Sequence, residues 1–126
     1  YHLHHGNKGD DAPRTFLWVA HGASNHPIVA GVPTGEFVTT SWLYKTSLLT
    51  HDCTVLLMGR VEGRQPNEPV AWTRTLPTGN RVFYTSLGHV DEFAQPWFAR
   101  TLRNGVLWAL GQTIPTSDAS TPDESK

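Results

Sequence analysis

The side chains best suited to chemistry in this chain are histidines. Seven are present, and His2, His4 and His5 crowd the first five positions. In an extended segment side chains alternate, so His2 and His4 project to one side, near enough to share a metal ion or a network of sugar hydroxyls. If folding brings His89 to the same place, His2, His4, His5 and His89 supply the neutral imidazoles that hold Zn²⁺ in three-ligand sites with one position open for water or substrate. The competing reading is that histidines near a chain start are simply solvated. Asp10 and Asp11 could add oxygen ligands, although two aspartates in a polar loop serve solubility first. A second chemistry lies in Trp42 and Tyr44, because sugars lay their C–H faces on aromatic rings while polar groups read their hydroxyls. With five tryptophans in the chain, packing in the core is the alternative for both.

Other familiar arrangements are absent. The single cysteine, Cys53, can form no internal disulfide and no cysteine-rich zinc site. It enters a strand-like run in His51-Asp52-Cys53-Thr54-Val55, without flanking glycines for a strained nucleophile elbow, so it reads as a small buried apolar residue. No serine lies in a Gly-x-Ser-x-Gly context. Arg60, Glu62, Arg64 and Glu68 alternate in sign on a stretch that reads as a solvated loop of ion pairs, and no role is assigned to them. The chain has 126 residues, 10 Lys+Arg against 11 Asp+Glu and a net charge of -1. With Asp118, Asp123 and Glu124 set against Lys126 near the end, the body is close to neutral and carries no nucleic-acid footprint. The apolar runs Thr54–Met58 and Gly105–Leu110 fall far short of the roughly 20 residues of a membrane span. The residues encode no compartment, and a chain that starts at Tyr1 is expected to be a processed product or a fragment.

The elements that must position these groups follow from pattern. Thr15–Ala20 and Thr54–Gly59 are short apolar runs bounded by turn residues, and Glu36–Leu43 is rich in Val, Thr, Phe and Trp, so all three predict strands. Pro27–Ala30 is expected to make one helical turn after Asn25-His26, and Tyr44–Asp52 a looped or briefly helical link. Pro69–Thr75 and Asn80–Ser86 predict a hairpin closed by Leu76-Pro77-Thr78-Gly79. Pro96–Leu110 predicts an amphipathic helix that packs through Phe98, Leu102, Val106 and Ala109, with Gly111 as its stop. From Gln112 the composition turns to Ser, Thr, Pro and acidic residues, which predicts a disordered polar tail over 112–126.

Within these elements, Pro69-Val70-Ala71-Trp72-Thr73-Arg74 and Arg81-Val82-Phe83-Tyr84-Thr85-Ser86-Leu87-Gly88-His89 resemble the closing hairpin of ThuA-like (trehalose utilisation) domains. Pro96-Trp97-Phe98, Asn104-Gly105-Val106-Leu107-Trp108-Ala109 and the upstream His26-Pro27-Ile28 extend the resemblance over residues 2–111. It implies an α/β, three-layer, class I glutamine amidotransferase-like (flavodoxin-like) sheet. Such domains run to about 200 residues, so 1–111 would be a C-terminal part, lacking the first parallel strands and a glycine-rich turn. Strands apolar on both faces, with one convincing helix to cover them, fit that expectation and point to self-association into a homo-oligomer. In the amidotransferase relatives a histidine and a nearby glutamate follow the last strand, so the resemblance assigns His89 and Glu92 as catalytic, with His89 as general acid/base or ligand. Capping of a loop by His89 is the bland alternative. The expected function is carbohydrate utilisation, with trehalose or a related small-molecule sugar as partner, neither nucleic acid nor membrane, and Zn²⁺ as the possible cofactor. A non-catalytic α/β module contributing to a larger assembly is the alternative.

Overall fold

The computed structural model describes residues 13–116 and the backbone of residues 4–5. Seven strands run in chain order: β1 (His4–His5), β2 (Thr15–Val19), β3 (Phe37–Thr39), β4 (Leu43–Tyr44), β5 (Cys53–Val61), β6 (Glu68–Thr75) and β7 (Arg81–Thr85). Short 3₁₀ turns occupy Pro27–Val29 and Val90–Ala94, and one α-helix, α1, spans Pro96–Ala109. The main sheet has five strands in the order β3-β2-β5-β6-β7, and β1 pairs with β4 in a separate ribbon. The chain is therefore α/β, as expected. Its described strands pair antiparallel throughout. The parallel strands and second helical layer of the three-layer arrangement do not occur among the described residues.

The hairpin forms where the sequence placed it. Trp72 stands opposite Tyr84 and Thr73 opposite Phe83. The turn closes through Leu76 N to Asn80 O and Gly79 N to Leu76 O, both 2.8 Å, with Gly79 at φ 91, a left-handed conformation that glycine adopts without a Cβ penalty. Cross-strand pairing displaces two expected boundaries. Arg60–Glu68 is not one loop, because β5 continues through Arg60 and Val61, opposite Phe16 and Thr15, and β6 begins at Glu68. The Arg60 guanidinium covers the Phe16 ring at 5.0 Å and reaches Glu36 at 2.8 Å, so its charge sits at the sheet surface while its stem packs. Glu36–Leu43 does not run as one strand either. It leaves the main sheet after Thr39 and re-forms as β4 against β1.

The helix face differs from the one apolar spacing predicts. Phe98, Thr101, Asn104 and Gly105 are buried, whereas Val106 is 57% exposed and Ala109 is also exposed. Polar and minimal side chains define this face. Asn104 Nδ2 donates to the carbonyls of Pro27 and Ile28, each at 3.3 Å, tying α1 to the first 3₁₀ turn. Gly105 lets the helix approach β7 so closely that a Cβ there would stand 2.3 Å from the Phe83 ring. An apolar-periodicity argument cannot see contacts made by an amide and by a missing side chain. Alternation along β7 then places Tyr84 on the face away from α1, where it stacks on Trp72 with ring centroids 4.0 Å apart.

At the end of α1, Gly111 is the stop the sequence indicated, with φ 72 and its N–H donating to Trp108 O. Two residues assigned to the polar tail are held by the domain: Gln112 N donates to Leu107 O and Ile114 packs against the core. Residues 117–126 lie outside the described residues. No helix among the described residues is long and apolar enough to cross a membrane.

Candidate functional site

The candidate site grows from the way β7 ends. After Thr85 the strand stays tied to β6 by Ser86 N to Val70 O at 3.0 Å and Thr85 Oγ1 to the same carbonyl at 2.9 Å. Thr85 Oγ1 then accepts Leu87 N at 3.2 Å, and Gly88, at φ 133, turns the chain out of the sheet. His89 opens the second 3₁₀ turn as its N-cap. Its Nδ1 accepts from Asp91 N at 3.1 Å, a role filled more often by Ser, Asp or Asn oxygens. Since Nδ1 is the acceptor, that bond assigns the proton of the neutral ring to Nε2. The capping function foreseen as the bland alternative is therefore real. It leaves Nε2 as the ring's donor.

Glu92 lies on the same turn and is 2% exposed. Its carboxylate accepts hydrogen bonds from Thr39 Oγ1 and Ser41 Oγ. Ser41 Oγ in turn accepts the backbone N–H groups of Gly88 at 3.2 Å and His89 at 3.1 Å, and Thr39 Oγ1 accepts Ser41 N at 3.0 Å. One buried charge thus joins the end of β3, the entry to β4 and the loop that carries His89. Buried carboxylates persist where donors satisfy them, as here. Among the described residues no hydrogen bond joins the His89 ring to the Glu92 carboxylate; the two residues are linked through Ser41.

This network braces one wall of a cleft of about 350 Å³. Ser41, Trp42 and Tyr44 line one side, and the Ser86–His89 loop lines the other. Behind the cleft, burial pushes the Tyr84 phenol above its ordinary value, and the neighbouring Tyr44 adds to the effect. In the β1–β4 ribbon His4 stands opposite Tyr44 and His5 opposite Leu43, so the backbone of the N-terminal histidines runs beside the cleft. The side chains of His4 and His5, and all of His2, lie outside the described residues, as do Asp10 and Asp11. The structure therefore gathers Trp42, Tyr44 and His89 around one cavity, with Glu92 behind its wall.

Several other residues take places the sequence did not foretell. Glu68, expected in a solvated loop, is 2% exposed and accepts from Thr46 N, Ser47 N and Ser47 Oγ at 2.9–3.0 Å, anchoring the segment after β4. Cys53 is half-buried at the start of β5. Beside it Arg74 Nε meets Asp52 at 2.8 Å, and the Thr50 hydroxyl, then Arg74, hold the Asp52 carboxyl below its usual range. A larger hollow of about 580 Å³ beside Trp18, Val19 and the 29–36 segment is mostly apolar, and among the described residues its one charged lining residue is Glu36. Thr39 and Ser41 were missed altogether. The visible signal was the hydroxyl run Thr39-Thr40-Ser41 in the middle of an expected strand.

An α/β domain with an aromatic and imidazole-lined cleft at the end of its closing hairpin is thus the class the fold defines. The family model for trehalose utilisation, ThuA, matches residues 3–109, and the chain belongs to that family. No curated protein and no solved structure matches it.

Proposed function

We propose that the cleft between β4 and the loop after β7 binds a small neutral sugar, trehalose or a close relative, and that the domain serves carbohydrate utilisation through it. The observation that carries this reading is the convergence of Trp42, Tyr44 and His89 on one cavity in a chain of the trehalose-utilisation family. The aromatic rings offer apolar contact to sugar C–H faces, and His89 Nε2 offers a donor to a hydroxyl or glycosidic oxygen. In this reading His89 is the group that touches substrate, as a hydrogen-bond donor through Nε2. Glu92 is a positioning residue, because its oxygens are engaged by Thr39 and Ser41. His2, His4 and His5 would join His89 if the sugar is handled through Zn²⁺.

Calorimetric titration of the intact protein with trehalose, maltose and glucose, with and without Zn²⁺, tests the proposal. Saturable binding of trehalose is expected. Trp42→Ala and His89→Asn should each weaken it at least about fivefold, the scale of one lost hydrogen bond or ring contact. Asparagine keeps an N-cap acceptor at 89, so the fold is preserved while the imidazole is removed. Absence of saturable sugar binding by the unaltered protein would overturn the reading. Binding with no turnover would mark a sugar-binding module, and turnover lost in His89→Asn would mark an enzyme.

A further inference from the structure

Among the described residues, two buried carboxylates flank β4, the strand that carries the aromatic wall of the cleft. Glu92 holds Thr39 and Ser41 just before it, and Glu68 holds Thr46 and Ser47 just after it. Glu68 opens β6 and is 2% exposed. Its Oε1 accepts Thr46 N at 2.9 Å, Ser47 N at 3.0 Å and Ser47 Oγ at 2.9 Å. Two consecutive backbone N–H groups aimed at one oxygen form an anion-binding concavity. Thr46 Oγ1 adds a bond to Pro69 O at 2.6 Å, so the segment after β4 is tied to β6 by side chains and backbone together. Leu48, which follows Ser47, is 96% exposed, so apolar burial does not hold the chain there. A buried charge is a costly way to pin a surface segment, and what it adds over an apolar contact is direction.

The placement of β4 depends on that direction. Among the described residues β4 pairs with β1 and not with the five-stranded sheet, so the main ladder does not set its position. Leu43 is seated in the core, and Tyr44, the next residue, lines the cleft. Tyr44 therefore stands between one apolar seat and the anchor that Glu68 provides two residues further on. We infer that Glu68 is a positioning residue for Tyr44: by fixing Thr46 and Ser47 it sets where the Tyr44 ring stands against the bound sugar. The inference rests on the sugar-binding reading above. The two carboxylates then have separate tasks, since Glu92 holds the His89 loop through Ser41 while Glu68 holds the ring. Such support matters because a contact group displaced by a fraction of an ångström no longer meets its ligand.

A double-mutant cycle on the intact protein tests this, with trehalose affinity read by calorimetry and ring NMR shifts read without sugar. Glu68→Gln keeps an oxygen for the three donors but removes the charge, and should weaken trehalose binding about threefold; Glu68→Ala removes the acceptor and should weaken it about tenfold. In a Tyr44→Ala background either change should cost less than about twofold, because no ring remains to be placed, whereas in a His89→Asn background the loss should persist in full. Without sugar, the Tyr44 ring resonances should shift in the Glu68 variants and those of the His89 ring should not. Where Glu68→Ala does not fold, Glu68→Gln carries the same comparison. Losses equal with and without the Tyr44 ring, coupling to His89 in its place, or unmoved Tyr44 resonances would overturn this inference alone. Failure of the unaltered protein to bind any sugar would overturn the sugar reading and this inference together.

Discussion

Replacing Glu92 by glutamine tests whether one buried carboxylate holds the cleft in shape. The shape of the side chain is retained and one acceptor oxygen becomes an NH₂ donor. If that NH₂ faces Ser41, it finds both serine lone pairs already taken by Gly88 N and His89 N, and the serine proton loses its acceptor. If it faces Thr39, the threonine oxygen can accept from the amide beside Ser41 N, but its own proton is stranded. The second arrangement costs less. It still forfeits one hydrogen bond to a charged group, each of which contributes about 1.5–3 kcal/mol. A loss of about 2 kcal/mol should lower Tm by roughly 10 °C in a domain of this size. Differential scanning calorimetry reads the loss, and amide NMR shifts at Gly88 and His89 report whether the wall has moved. A Glu92→Gln protein that melts within about 2 °C of the original, with both amide shifts unchanged, would show that the carboxylate does not hold these loops.

Two further outcomes follow from packing and charge. Gly105→Ala gains about 1 kcal/mol of helix propensity but sets a Cβ 2.3–2.8 Å from the Phe83 ring atoms; overpacking costs about 1–3 kcal/mol, so chemical denaturation should show net destabilisation, and a stabilised variant would contradict the close approach of α1 and β7. His26 is held below its ordinary value of 6.5 by burial first and by Arg81 second, so the unfolded chain binds a proton more readily than the folded one. Its contribution is intact above pH 6.5 and stability falls as pH drops through and below that value; His26→Gln should flatten this part of the stability profile, and an unchanged slope would refute the assignment.

Legibility in the sequence tracked the physics of each element. The hairpin was readable because Pro77 and Gly79 write the turn locally and the flanking strands are β-rich on both sides. The helix was readable as a helix, bounded by Pro96 and Gly111. Its buried face was not, because Asn104 acts through two distant carbonyls and Gly105 acts through having no side chain. The break between β3 and β4 was hidden for a related reason. Thr39, Thr40 and Ser41 have acceptable strand propensity, and the strand ends at Thr39, where Thr39 and Ser41 donate to the carboxylate of Glu92, fifty-one residues beyond Ser41.

The same asymmetry governs the candidate site. Residue types with intrinsic chemistry, His89, Trp42 and Tyr44, announce themselves in a sequence, and the structure draws them around one cleft. A single hydroxyl announces little, because a serine's meaning depends on whether its partner is backbone, carboxylate or ligand. Ser41 carries two backbone donors and a carboxylate at once, so it is part of the scaffold. Ser86 carries no partner at all, though only the Leu87–Gly88 pair separates it from His89 on the same loop. The carboxylate that joins Thr39, Ser41 and the loop fixes where His89 stands, at the cost of burying a charge, so cleft geometry is expected to follow Glu92.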